Sequence, residues 1–300
     1  MAGDADRSTK AAAKTMDGET MDFLADVAHY GAIHFKLTLF RYVLAASVMS
    51  ICAGWLFRAW MNRRRIQKRR ASWGDIRREV SYSMLTVCIF TLFGITINLL
   101  QDMGIAKLYW NWSDYPLWWG ILSLPVVLLL HDAYFYWTHR AMHHPKVFKH
   151  FHRLHHISRT PTPWTAYSFS VGEIFINGLF SPLIALTIPL HPSIWLSFLF
   201  IMIFRNAMLH TGREFHPRGW VDGALDNMTT TTHHDLHHQR FQGNYGFYFT
   251  WWDRLMGTEF KDYKEVFRQA VDGKLHGEQQ PQEGTLAGAT ADSEPGKITA

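Results

Sequence analysis

Histidine is the residue type in this chain whose number and spacing could do chemistry. There are eighteen in 300 residues, and eleven of them fall in two short windows, 139 to 156 and 233 to 238. His139 and His143 stand four residues apart. At about 100° per residue, both rings can reach one metal ion from a single helix face. Asp132 and Tyr136 share that stripe, one and two turns before His139. They are expected to hold the outer ring nitrogen of a ligand and so fix its tautomer. Pro145 ends this helix and can open the next as its first residue. That next segment carries His152, His155 and His156, spaced i, i+3, i+4 and read as one face. The same spacing returns in His234, His237 and His238. His210, at the end of the last apolar run, adds a ninth imidazole.

Four or five nitrogen donors satisfy one zinc or iron ion, so eight or nine suit two ions. Neutral imidazoles also avoid the cost of bringing many anions to a membrane interface. His29, His34, His191 and His276 read as surface or snorkelling residues. His144, His150 and His233 point off the ligand faces, and His131 and His216 fit either reading. The two cysteines, Cys52 and Cys88, both sit in apolar runs, which excludes a disulfide framework and a cysteine-based zinc site. A zinc peptidase needs a glutamate beside the first histidine of its pair, and Arg140 stands there instead. A metal transporter, the alternative from a different class, places its ligands along a path within the spans, whereas these clusters lie beyond the span ends.

The elements that must position the histidines are apolar helices. With 48% apolar and 15% aromatic residues the chain is not disordered as a whole, and its mean hydropathy of −0.11 hides strong segregation. Residues 1–20 and 273–300 read as disordered tails, and the first lacks the apolar core of a cleavable signal peptide. Apolar runs at 38–57, 82–100 and from Pro116 through Leu130 are long enough to cross a membrane. The runs 174–190 and 194–209 form a tight pair that either spans or re-enters. The fold class expected is all-α and integral to a membrane, with about four transmembrane helices and a cytoplasmic helical cap. Nine Lys/Arg between Arg58 and Arg78, against Lys107 alone in 101–115, place the 58–80 loop in the cytoplasm. Counting spans from there puts both histidine windows on that same side. The basic loop is read as attraction to an anionic membrane surface, with no nucleic-acid role. The division is then 21–115, membrane helices with the basic loop, and 116–265, the catalytic domain.

Several strings in this domain resemble the fatty acid hydroxylase and sterol desaturase superfamily of membrane di-iron oxygenases. They are Tyr136-Trp137-Thr138-His139-Arg140-Ala141-Met142-His143-His144, His152-Arg153-Leu154-His155-His156 and Pro161-Thr162-Pro163-Trp164. Further on come His234-Asp235-Leu236-His237-His238, Asn244-Tyr245-Gly246 and Trp252-Asp253-Arg254, and Asn206 and His210 match a family position as well. The resemblance covers roughly 116 to 260. It implies two iron ions held by the histidines, O2 as co-substrate, and two electrons from a cytochrome b5-like or ferredoxin-like donor. It also implies a membrane lipid as substrate: a polar lipid such as an ornithine lipid, a fatty acyl chain, a carotenoid or a sterol. Hydroxylation is the first expectation and desaturation the alternative. Ser170 stands where sterol-type members often carry a histidine, which weakens a sterol assignment. The membrane would be the inner one in a bacterium and the endoplasmic reticulum in a eukaryote.

Overall fold

The computed structural model describes the backbone of residues 2–276 and the side chains of residues 18–276. The chain is helical, with no strand among the described residues and only isolated bridges such as Leu108 to Leu190. In order, the helices are α1 (Ala2–Ile51), α2 (Arg58–Arg63), α3 (Trp73–Asp102), α4 (Leu117–Met142), α5 (Pro145–Phe151) and α6 (Arg153–Ile157). Then follow α7 (Val171–Thr187), α8 (Pro192–Leu209), α9 (Thr231–Arg240), α10 (Trp251–Leu255) and α11 (Tyr263–Val271). Four segments are long and apolar enough to cross a membrane: Gly18–Leu56, Trp73–Asp102, Leu117–Met142 and Pro192–Leu209.

One boundary differs from the sequence reading. Helix α1 begins at Ala2, so it takes in residues 2–20, expected as a disordered tail. That expectation rested on missing apolar periodicity, but a stretch with Ala11-Ala12-Ala13, Lys, Met and Glu has high helix propensity without it. The tail expected at 273–300 lies outside the described residues from 277 onward.

Local chemistry sets the helix starts. Ser72 caps α3 in a reciprocal box with Asp75, an arrangement worth about 1 kcal/mol. Pro145 and Pro192 occupy the first positions of α5 and α8, with His144 and His191 as their caps. His191, read as a surface residue, thus has a structural role, and His34 bonds Asn98 at 3.2 Å.

Helices α1 and α3 run antiparallel. Tyr30 donates to Asp102 at one end, while Tyr42 and Ser83 both donate to the Trp164 carbonyl nearer the other. Between them lies the 3-10 turn Pro163–Tyr167, buried in the main apolar cluster with Tyr42, Val87, Ile174 and Ile203. A turn inside a bundle exposes carbonyls that need donors. Here Thr86 Oγ1 reaches the Tyr167 carbonyl and Asn206 Nδ2 the Ala166 carbonyl. Helices α7 and α8 form a hairpin whose turn meets the α3–α4 loop, with Tyr109 N–H donating to the Leu190 carbonyl. The pair therefore runs the depth of its neighbours instead of turning back part-way.

At Gly178 the α7 backbone lies against the Phe93 ring of α3, so closely that a Cβ would overlap it. We expect Gly178→Leu to lower stability by about 1–3 kcal/mol, the usual cost of overpacking. Thermal unfolding in detergent would read it, and an unchanged midpoint would contradict the close approach.

Candidate metal centre

All nine nominated histidines meet at the end of the bundle where α4 and α8 finish. They fall into two groups, His139, His143, His152, His156 and His237 in one, and His155, His210, His234 and His238 in the other, with donor atoms inside each group within 4.8 Å of one another. Every member is buried. The groups adjoin, with the His156 and His238 rings 4.8 Å apart.

The division of the triplets differs from the single-face expectation. Helix α5 ends at Phe151 and α6 starts at Arg153, with a backbone break at His152 (φ −130°). His152 and His156 join one group while His155 joins the other. In α9 the i, i+4 pair His234 and His238 likewise stay together, and His237 crosses over. On a helix the i+3 residue projects about 60° to the far side of residue i and i+4 only about 40° to the near side. An HxxHH triplet therefore straddles the two histidine groups, and the two triplets exchange their middle residues.

The nitrogens face one another closely. His139 and His152 Nε2 are 2.9 Å apart, His156 and His143 3.1 Å, and His237 and His156 3.0 Å. His210, His234 and His238 form a triangle of Nε2 atoms with sides of 3.1, 3.2 and 3.2 Å. Three lone pairs so placed cannot all be satisfied by hydrogen bonds to each other. An ion about 2.0–2.1 Å from each nitrogen satisfies them together.

The opposite ring edges show which nitrogen carries the proton. His139 Nδ1 donates to the Tyr245 carbonyl (3.0 Å), His155 to Ser168 (3.3 Å), His210 to Asn206 (2.7 Å) and His237 to Gly243 (2.8 Å). A carbonyl can only accept, so Nδ1 holds the hydrogen and Nε2 presents its lone pair. Burial holds His152, His155, His156, His234, His237 and His238 well below the ordinary imidazole range, and His210 at about 4. Neighbouring rings push in the same direction.

One carboxylate joins this ring of partners. Glu173, in the first turn of α7 and 2% exposed, places Oε1 2.9 Å from His152 Nδ1. The sequence reading missed it, although a single acid heading the apolar stretch 171–190 was a usable signal. Ser170 caps the same helix, accepting from Glu173 N–H and donating to the Phe151 carbonyl. It belongs to neither histidine group.

Asp132 and Tyr136, expected against ligand rings, bond elsewhere. Asp132 Oδ1 accepts from the N–H groups of Tyr248 (2.8 Å) and Phe249 (3.2 Å), and Oδ2 from Trp251 Nε1 (3.0 Å). Tyr136 pairs with Thr258 and Arg140. Both residues act on the 241–258 segment, whose carbonyls in turn hold His139 and His237. Asp253 accepts from Tyr245 and Gly246 N–H at 2.8 Å each. Gly243 has φ +139°, and a Cβ there would lie 2.7 Å from the Thr258 carbonyl. His233 lies buried 3.5 Å from Asp253, and His216 bonds Glu214, which also holds the start of α9 through Thr232. His131 sits among Phe180, Phe198 and Phe247, while His144 and His150 are exposed.

The basic loop packs against the site. Arg64 donates to the carbonyls of Glu214 and His216, and Gln67 to Asp235 on α9, so the loop straps the outside of the histidine groups.

Three outcomes follow for purified protein. His155→Ala and His237→Ala should each lower bound metal, read by elemental analysis, and normal metal content would remove them from the ligand set. Glu173→Gln should weaken metal binding by roughly 10- to 100-fold while the fold persists. Acid should release metal. The unfolded chain takes up protons near pH 6.5 and the buried rings only far lower, so stability is lost as pH falls from 6.5 toward about 4. Metal retained unchanged at pH 4.5 would contradict this.

Comparison with known proteins agrees with this geometry. The fatty acid hydroxylase family matches residues 124–258. The chain is 30% identical over 189 residues to lathosterol oxidase of Rattus norvegicus, covering 61% of each. It is 29% identical over 198 residues to Delta(7)-sterol 5(6)-desaturase of Leptosphaeria maculans, covering 66% of this chain and 54% of that one. With the Schizosaccharomyces pombe Delta(7)-sterol 5(6)-desaturase the identity is 34% over 169 residues, 56% of this chain and 54% of that one. The chain thus spans about three-fifths of the first of these relatives and about half of the other two. No solved structure matches it. The histidine-bearing residues 124–258 thus match the fatty acid hydroxylase family, and the relatives that the chain resembles are named as sterol oxidases and desaturases.

Proposed function

We propose that the protein is a membrane-bound oxidoreductase that holds two iron ions on His139, His143, His152, His156 and His237 and on His155, His210, His234 and His238. Its reaction is the hydroxylation of an unactivated C–H bond in a membrane lipid, using O2. The observation that carries this reading is the pairing of an all-imidazole double site with an apolar cavity that ends beside it. The cavity encloses about 580 Å³ among the membrane helices, and its lining includes Phe135, Phe169, Asn206 and Phe247. Phe135 lies 4.9 Å from the His139 ring and Phe169 5.3 Å from the His155 ring, so one cavity reaches under both groups.

When bound, a pair of irons would supply the electron transfer that lets dioxygen oxidise a C–H bond. The chain's own residues do the rest. Nine neutral rings offer donors that do not charge the interior, and carbonyls and Glu173 hold their tautomers. Aromatic walls keep water from the reacting carbon and admit a lipid sideways from the bilayer. Two electrons would come from a cytochrome b5-like or ferredoxin-like donor on the cytoplasmic side, where the arginine-rich loop straps the site. Transport, the alternative from another class, calls for ligands along a path, and here all nine gather at one end of the bundle.

Desaturation by the same site is the second reading, favoured by relatives named as sterol desaturases. A histidine missing at Ser170 no longer argues against it, because that position caps α7 and lies outside both histidine groups.

Comparing lipids from cells with and without the gene, grown in air, decides between the two. A lipid gaining 16 mass units is the expected result, a loss of 2 supports desaturation, and no change despite bound iron contradicts both. Orientation has its own check. With Cys52 and Cys88 replaced by serine, Lys68→Cys should react with an impermeant maleimide only from the cytoplasmic side. Ser113→Cys should react only from the opposite side.

A further inference from the structure

The cavity beneath the histidine groups holds a charge that the reaction does not need. It extends along α8 from Pro192 to Asn206 and along α3 from Phe90 to Asp102, about 20 Å at 1.5 Å per residue. Its walls are mostly hydrocarbon and aromatic. Arg41 of α1 lines it, and only 5% of that residue is exposed. The guanidinium makes one hydrogen bond, from Nη2 to Thr38 Oγ1 at 3.1 Å, on its own helix, while Nε and Nη1 are buried with no partner. Among the described residues no carboxylate pairs with it. Asp102, which also lines the cavity, is engaged by Tyr30, eleven residues back along α1 and about 16 Å away. The apolar run read from the sequence begins at residue 38, which leaves Arg41 three residues inside it. The helix in fact continues on both sides of Arg41, from Gly18 to Leu56, and its packing buries the guanidinium.

A cation so buried and unpaired is strongly disfavoured unless it serves a ligand. A sterol hydroxyl could accept one hydrogen bond from it but would leave the charge unbalanced. A carboxylate matches the guanidinium in both charge and shape, accepting two parallel N–H bonds. Nε and Nη1 have no partner, and Nη2 keeps a second hydrogen beyond its bond to Thr38, so one edge of the guanidinium can still offer two parallel N–H groups.

We propose that Arg41 is the recognition point for an acidic group on the substrate, and that the cavity takes a single-chain lipid bearing a carboxylate. This rests on the cavity being the substrate's place in the lipid-oxidising reading above. In that role Arg41 binds and orients the substrate without touching the metals.

The test uses the full-length, metal-containing protein in neutral detergent, titrated with cis-parinaric acid and separately with its methyl ester. The two probes share a polyene chain and differ in charge. Wild type should bind the acid at least tenfold more tightly than the ester. Arg41→Met should abolish that preference by weakening the acid alone, and Arg41→Lys should keep most of it. Equal affinity of wild type for both probes would overturn the proposal, as would a preference that survives in Arg41→Met. Should Arg41→Met fail to fold, the wild-type pair still decides. A tenfold preference in a protein that oxidises no lipid sinks the oxygenase reading and leaves this one. Lipid oxidation without the preference does the reverse.

Discussion

Nine imidazoles share one buried volume, and their inward nitrogens approach to about 3 Å. Lone pairs at that separation repel unless a proton or a cation lies between them, and protonation is opposed by burial and by the neighbouring rings. The arrangement is therefore costly by itself and becomes favourable around metal. Much of the surrounding structure holds those rings in that disposition. Carbonyls of Tyr245, Ser168, Asn206 and Gly243 take the outer N–H groups, and each carbonyl comes from a different local device. These are a glycine-dependent loop, the exit of a 3-10 turn, the last turn of α8 and the backward bend after α9.

That dependence explains residues far from the metals. Asp253 has no contact with a ligand ring, yet it sets the path of 243–246 and hence the positions of the two carbonyls behind His139 and His237. Asp132 does the same for 248–251 from within α4. Buried carboxylates accepting backbone N–H groups are strong, directional restraints. Here they convert a stretch without regular structure into a rigid backing for the site. Glu214 and Arg64 perform the matching task on the opposite side, anchoring the start of α9 and the basic loop.

The site lies between two solvents. Its metal groups close the polar end of the bundle, while the cavity beneath opens into the apolar part. In the proposed reaction a hydrocarbon substrate would be oxidised without leaving the bilayer, and a polar electron donor would approach without entering it. The crossing of the two HxxHH triplets ties these halves together. Each proposed ion would draw on α6, on α9 and on one of the two long apolar helices, so losing one ion would loosen ligands of the other.

How much of this was legible in the sequence depends on the distance over which each feature acts. Helical spacing and span length are local properties. They were enough to nominate all nine histidines, an all-α membrane architecture and a shared side for the two histidine windows. Composition misled at residues 2–20, because helix propensity does not require an apolar stripe. What the chain does between distant segments was not legible. The sorting of each triplet between two groups needed the backbone break at His152 and the crossing of α6 with α9. The partnership of Glu173 with His152 joins residues 21 apart across a turn, and that of Asp132 with Tyr248 joins residues 116 apart. Nothing local marked Arg41, and only the packing of α3, α8 and the 3-10 turn against α1 encloses it. The type and number of candidate ligands were thus determined by the sequence itself, since they follow from side-chain chemistry at helical intervals. Which group each histidine joins, what holds its outer nitrogen and which charge lines the cavity were decided only by tertiary structure, because each depends on groups that the chain brings together through space.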